Sequence, residues 1–171
     1  MTPLAEAAAF LAQEWPVFPC NREKRPMTER GLYDASRDPD AVRAMFRNAA
    51  LIGVPTGRVS DLAVWDFDTK YDGAGLRWLA ENEHRIPRTR RHRTPSGGIH
   101  LLFRYPAEVA FRNSAGYLHA KTGKLVGIAL GVDTRGEGGY ICAPPSDGYE
   151  IADDAMPADM PEWMLALYLA R

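Results

Sequence analysis

The chain has 171 residues, 46% hydrophobic and 25% charged, with a formal net charge of −1. That is enough for about one domain around one continuous core, and such ordinary composition excludes a disordered or fibrous chain. No apolar run reaches the roughly 20 residues a membrane-spanning helix needs, and the start, with Glu6 in its first turns, is read as carrying no secretory signal.

The first element is a helix. Thr2 is an N-cap, Pro3 a first helical residue, and Leu4, Ala8, Leu11, Ala12 and Trp15 form an apolar stripe. Pro16 to Pro19 opens an extended segment leading into a basic loop at 21–30, with Arg22, Lys24, Arg25 and Arg30. Asp38 caps a second helix that Pro39 begins and whose apolar side is Val42, Met45, Phe46 and Ala49. Strands follow at 51–54 and 62–68, then a short helix at 73–82 with Leu76, Leu79 and Ala80 inward. A polar strand at 88–94 comes next. At 99–105, Ile99, Leu101, Phe103 and Tyr105 share one face and His100, Leu102 and Arg104 the other. Segments 128–133 and 139–143 read as two more strands about a Gly-rich turn, and 161–171 as a terminal helix. The fold class is α+β, with a mostly antiparallel sheet.

Charge is unevenly placed along the chain. Arg85, Arg88, Arg90, Arg91 and Arg93 crowd one stretch, while 147–162 is acidic. A basic track on a near-neutral body suits a phosphate-bearing partner, and equally a solvated charged face. The two cysteines, Cys20 and Cys142, supply neither a zinc cluster nor a disulfide framework, so the compartment is read as reducing and cytoplasmic.

Three segments carry chemistry. In Ala63-Val64-Trp65-Asp66-Phe67-Asp68, alternation sends Asp66 and Asp68 out of one face of a strand, roughly 6–7 Å apart, while Trp65 and Phe67 bury. Two such carboxylates suit a hard cation, Mg²⁺ or Mn²⁺; taken alone they read equally as surface aspartates at a strand end. In Thr94-Pro95-Ser96-Gly97-Gly98-Ile99-His100, the turn offers N–H groups and a hydroxyl to phosphate, with His100 beside it; taken alone it reads first as a tight hairpin turn with an incidental histidine. Asp133 closes a third apolar run, followed by Arg135, a Gly-rich turn and Tyr140 to Ser146. Tyr33, Tyr71 and Tyr117 are read chiefly as core aromatics.

This order of motifs resembles the archaeo-eukaryotic primase superfamily, in its primase-polymerase branch. That branch has an apolar strand ending in acid-x-acid, then Ser-Gly-Gly-x-His, then a strand ending in Asp followed by Arg, paired glycines and Pro-Pro-Ser. All of these stand here, with Lys24-Arg25-Pro26, Gly31–Ser36 and Thr56-Gly57 upstream looking similar. The resemblance implies an RRM-like antiparallel catalytic sheet packed with an N-terminal α/β module, in one domain over 1–171 that belongs to, or is cut from, a longer replication protein. It implies a DNA primase/DNA polymerase of a plasmid, phage or mobile element. Asp66, Asp68 and Asp133 would hold two Mg²⁺ or Mn²⁺ ions. Ser96, Gly97, Gly98, His100, Arg135, Lys24 and Arg58 would bind a dNTP or NTP. Arg88, Arg90, Arg91 and Arg93 would follow a single-stranded DNA template and primer, and a helicase would be a natural partner.

Other readings of Asp-x-Asp fit less well. A nucleotide-sugar glycosyltransferase wants a parallel half before the motif, and a haloacid-dehalogenase phosphatase wants Thr or Val where Lys70 stands. A rolling-circle nickase wants a second histidine beside His100. A nucleic-acid or nucleotide-binding module without catalysis stays open.

Overall fold

The computed structural model describes residues 2–171. Helix α1 (Pro3–Leu11) begins where the Thr2 hydroxyl accepts the Ala5 N–H at 3.2 Å. Helix α2 (Pro39–Met45) begins where the Asp38 carboxylate accepts the Asp40 N–H at 3.0 Å. Both caps satisfy N–H groups that a helix start leaves open. The two helices pack on an antiparallel sheet of order β1-β2-β9, made of β1 (Phe18–Cys20), β2 (Leu51–Pro55) and β9 (Tyr140–Ala143). The N-terminal module is therefore completed by a strand from the other end of the chain, a closure that local periodicity does not encode.

The central sheet has five strands in the order β10-β4-β5-β3-β8, all antiparallel. These are β3 (Ala63–Phe67), β4 (Arg91–Arg93), β5 (Ile99–Phe103), β8 (Val132–Arg135) and β10 (Glu150–Asp153). A small ribbon of β6 (Tyr117–Leu118) and β7 (Leu125–Val126) stands apart from both sheets. Helices α3 (Lys70–Asn82) and α4 (Glu162–Ala170) complete the chain. The fold is α+β with mostly antiparallel sheets, as the sequence leads one to expect.

Both faces of the central sheet are buried. On one, Val64 and Leu102 join Ala8, Val42, Phe46 and Ile52 of the N-terminal module. On the other, Trp65, Phe67, Leu101 and Phe103 join Leu79 of α3 and Met164 and Tyr168 of α4. Trp65, Trp78 and Trp163 stack in series, with centroids 5.8 and 6.0 Å apart. That aromatic pile backs the strand carrying Asp66 and fixes its height against the helices.

Three local expectations change. The apolar run at 128–133 is a turn until Val132, because Gly127 and Gly131 take positive φ; its Ile128 and Ala129 pack on the core without pairing as a strand. Asp133 is therefore the second residue of β8 and not its end. In α3, residues 71–73 are left-handed, so the regular helix begins at Ala74, and Trp78 rather than the exposed Ala80 faces inward. Tyr33, Tyr71 and Tyr117 are all exposed, so none is a core aromatic.

Candidate active site

Antiparallel register places one row of side chains across four strands: His92 of β4 opposite His100 of β5, His100 opposite Asp66 of β3, and Asp66 opposite Asp133 of β8. Residues directly opposite share a face, with Cα atoms about 4.5–5.5 Å apart. Arg135 lies two residues beyond Asp133 on the same face. Asp68 lies just past β3, where its N–H donates to Gly131 O at 2.9 Å. That bond draws the end of the Asp-x-Asp segment onto the root of β8. Gly75 makes the approach possible, since a Cβ there would sit 2.1 Å from Gly131 O.

Above the row opens a cleft of about 280 Å³ between the two sheets. Asp66, His100 and Arg135 form its floor, Tyr140, Ile141 and Cys142 of β9 one wall, and Lys24, Tyr149 and Asn113 its rim. Lys24 is held there by its own backbone, whose carbonyl accepts the Tyr140 hydroxyl at 2.8 Å, and its Nζ lies 5.9 Å from the Tyr149 ring centre. The Asn113 carboxamide oxygen accepts the Gly136 N–H at 3.0 Å, which fixes the side chain at the glycine turn. Asn113, Tyr149 and Ile141 carry no local sequence signal, because long-range pairings bring them to the site, Ile141 through β9 on β2 and Asn113 through the bridge of Ser114 to Thr134.

Each carboxylate has its own nitrogen-bearing neighbour. His100 Nε2 lies 3.6 Å from Asp66, Arg135 lies 3.4 Å from Asp133, and Lys70 lies 3.0 Å from Asp68. Asp133 also accepts the Gly116 N–H at 3.0 Å. Burial would push the Asp66 carboxyl up, but His100, then Arg135 and Lys24, outweigh it and hold Asp66 below the usual carboxylate range. For Asp133 burial wins. The Gly116 N–H and Arg135 oppose it, the charges of Asp66 and Asp68 reinforce it, and the carboxyl is raised. Neighbouring carboxylates pushed in opposite directions mark a crowded anionic centre. Among the described residues no three His, Cys, Asp or Glu side chains converge on one point as ligands. The donors are nonetheless all carboxylate oxygens on one short patch, a set that suits Mg²⁺ or Mn²⁺ once Lys70, which is 69% exposed, swings off Asp68.

Other residues fall outside the cleft. The Ser96–Gly98 turn sits beside Thr69, whose methyl lies 3.7 Å from a Cβ placed on Gly97. It is closed on itself, with the Gly97 N–H donating to Thr94 O and the Ser96 hydroxyl 3.2 Å from that of Thr94, so the Gly97 amide is not offered to a ligand. The Arg58 guanidinium is committed elsewhere, donating to Ala107 O at 3.2 Å and lying 5.1 Å from the Tyr105 ring centre.

The arginine stretch is not a free cationic track. Arg88 pairs with Asp153, Arg91 with Glu83, and Arg93 with Glu150, at 2.9, 2.7 and 3.6 Å. Arg90 donates to Ala155 O, pairs with Glu14 and covers the Trp15 ring. The reason is topological: the acidic segment returns as β10 and pairs with β4, so each charge run neutralises the other. Alternation also splits Arg91 and Arg93 from Arg90, onto opposite faces.

The sequence profile of the bifunctional DNA primase/polymerase N-terminal domain, Prim-Pol, matches residues 7–163. The chain belongs to the Prim-Pol family. No curated protein matches it. The match covers every strand of both sheets, so the cleft between them lies wholly within the Prim-Pol domain, a primase/polymerase nucleotidyltransferase fold whose substrates are DNA and nucleotides. Among the described residues no helix is long and apolar enough to cross a membrane.

Proposed function

We propose that this Prim-Pol domain is a template-dependent nucleotidyltransferase, joining a dNTP or NTP to the 3′-hydroxyl of a nucleic-acid strand at Asp66, Asp68 and Asp133. The observation that carries this reading is the side-by-side placement of Asp66 and Asp133 on β3 and β8, with Asp66 and Arg135 on the floor of a cleft that Lys24 rims. Asp66, Asp68 and Asp133 would hold two Mg²⁺ or Mn²⁺ ions, displacing Lys70 and Arg135 from the carboxylates. When bound, such ions polarise the attacking hydroxyl and the α-phosphate and neutralise the departing pyrophosphate.

The chain's own side chains do the rest. Lys24, His100 and Arg135 face the cleft as donors to triphosphate oxygens, and Arg135, once off Asp133, adds a bidentate fork. The biological setting proposed is replication of a plasmid, phage or other mobile element, with a helicase as partner. A module that binds nucleotide without catalysis is favoured by one observation, the lysine and the arginine already seated on Asp68 and Asp133.

The two readings separate in one experiment. The chain is given primed single-stranded DNA, labelled dNTPs and Mn²⁺ or Mg²⁺, alongside Asp66→Ala/Asp68→Ala. Extension by the native chain, abolished in the variant, is expected. Metal-dependent stabilisation is followed in parallel as a rise in Tm with Mn²⁺ that the variant lacks. Binding of primed DNA with no incorporation under either metal would leave only the binding module. Omitting the primer then distinguishes strand initiation from extension.

A further inference from the structure

Between Gly116 and Gly127 the chain leaves both sheets and forms the ribbon of β6 and β7, which no other strand pairs. Tyr117 and Val126 face each other on one side of it and Leu118 and Leu125 on the other, and all four are exposed, Leu118 by 51% and Tyr117 by 40%. A two-stranded ribbon is marginal by itself, and apolar side chains on both faces with two open edges are a liability unless something covers them. The tip carries His119, Lys121 and Lys124, and Arg112 stands before the root. From Val109 to Val132 there is no Asp or Glu. Unlike the arginines of β4, Lys121, Lys124 and Arg112 enter no ion pair among the described residues.

The root of this ribbon is built into the site. Gly116 donates its N–H to the Asp133 carboxylate at 3.0 Å and accepts the Gly131 N–H at 2.9 Å, and Gly131 O in turn holds the Asp68 N–H. At about 3.3 Å per residue the four or five residues from Gly116 to the tip reach roughly 15 Å outward from Asp133.

We propose that this ribbon is the grip on single-stranded DNA, with Lys121 and Lys124 on phosphates and Tyr117 stacked on an unpaired base. It rests on the nucleotidyl-transfer reading of the cleft. Charge picks out the partner: an acid-free, cationic element beside an anionic centre suits a polyanion that must be held next to the carboxylates without entering them. Apolar and aromatic side chains pick out single strands, because a duplex hides the base faces they would stack on.

The test is fluorescence anisotropy of a labelled oligothymidylate across a salt series, with the full chain and no nucleotide. Lys121→Gln/Lys124→Gln is expected to weaken binding and to reduce the log–log salt slope by about 1.4, since each phosphate contact on a single strand contributes about 0.7. Tyr117→Ala is expected to weaken binding roughly 5- to 100-fold with the slope unchanged, as loss of a base stack would. Both variants should keep the native Tm and the native stabilisation by dATP with Mn²⁺, because neither touches the cleft. That second readout separates the two ideas: dATP stabilisation without ribbon-dependent DNA binding sinks the ribbon alone. An unchanged salt slope overturns the proposal, as does duplex bound as tightly as single strand with the same dependence on Tyr117. So does a variant whose only change is the loss of a dimer in size-exclusion chromatography, which would make the ribbon a self-association edge.

Discussion

His92 stands one strand away from His100 and is fully enclosed, with no partner for its Nδ1. Burial, and then the neighbouring His100 and Arg90, push its pKa down to about 3. The unfolded chain takes up the proton near the ordinary value of about 6.5. Between those limits the unfolded state binds more protons than the folded one, so His92 removes stability as pH falls from about 6.5 towards 3 and removes none above it. The loss approaches roughly 1.4 kcal/mol per pH unit within that window. His92→Leu is therefore expected to gain stability relative to the native chain in thermal melts at pH 5 and below, and to match it within about 1–2 kcal/mol at pH 8. Parallel stability curves for the two chains would refute the assignment. His92 also shows what a motif cannot disclose. Asp66, Asp68 and His100 were legible because short spacings place them, whereas the His92–His100 pairing exists only through the register of β4 on β5. The same holds for Asn113 and Tyr149, which reach the cleft through chain closure.

At the scale of elements, the alternation of 99–105, both helix caps and the Asp-x-Asp strand could be read directly, since each is a local signal in dihedral preference or periodicity. Charge runs could not. The arginines of β4 and the acids of β10 are separated by more than fifty residues in the chain and are neighbours only in the folded sheet. Their energetic weights also differ. Arg88 is 72% exposed and meets Asp153 at the surface, where water screens the pair and it contributes little. Arg90 is only 11% exposed; its stem covers Trp15 and its guanidinium satisfies Ala155 O and Glu14. Truncating it leaves a half-buried carbonyl unpaired and uncovers an indole. Arg90→Ala is thus expected to cost about 2–3 kcal/mol, and Arg88→Ala far less, in urea denaturation. Equal losses would show that β4 is held by its surface pairs.

For the whole molecule, the decisive feature is that one sheet serves two cores and one cleft. Val64 and Leu102 carry the N-terminal module on the same face that presents Asp66 and His100, while Trp65 and Leu101 on the reverse carry α3 and α4. β9, drawn into the N-terminal sheet, walls the cleft with Tyr140 and Cys142. Neither half can then open without exposing a face of the other, and the cleft exists only while both are in place. Unfolding should be a single cooperative transition. Trp15 reports the first core, and the Trp65–Trp78–Trp163 stack reports the second. Near-ultraviolet circular dichroism is dominated by the stack, and the fluorescence change lost in Trp15→Phe isolates the other; their midpoints are expected to coincide. Leu102→Ala, at the joint, should cost about 2–5 kcal/mol and shift both probes together. A variant in which the Trp15 signal melts first while the stack persists would mean the cleft is a contact between two separable halves, and nucleotide binding should then vanish at the first midpoint.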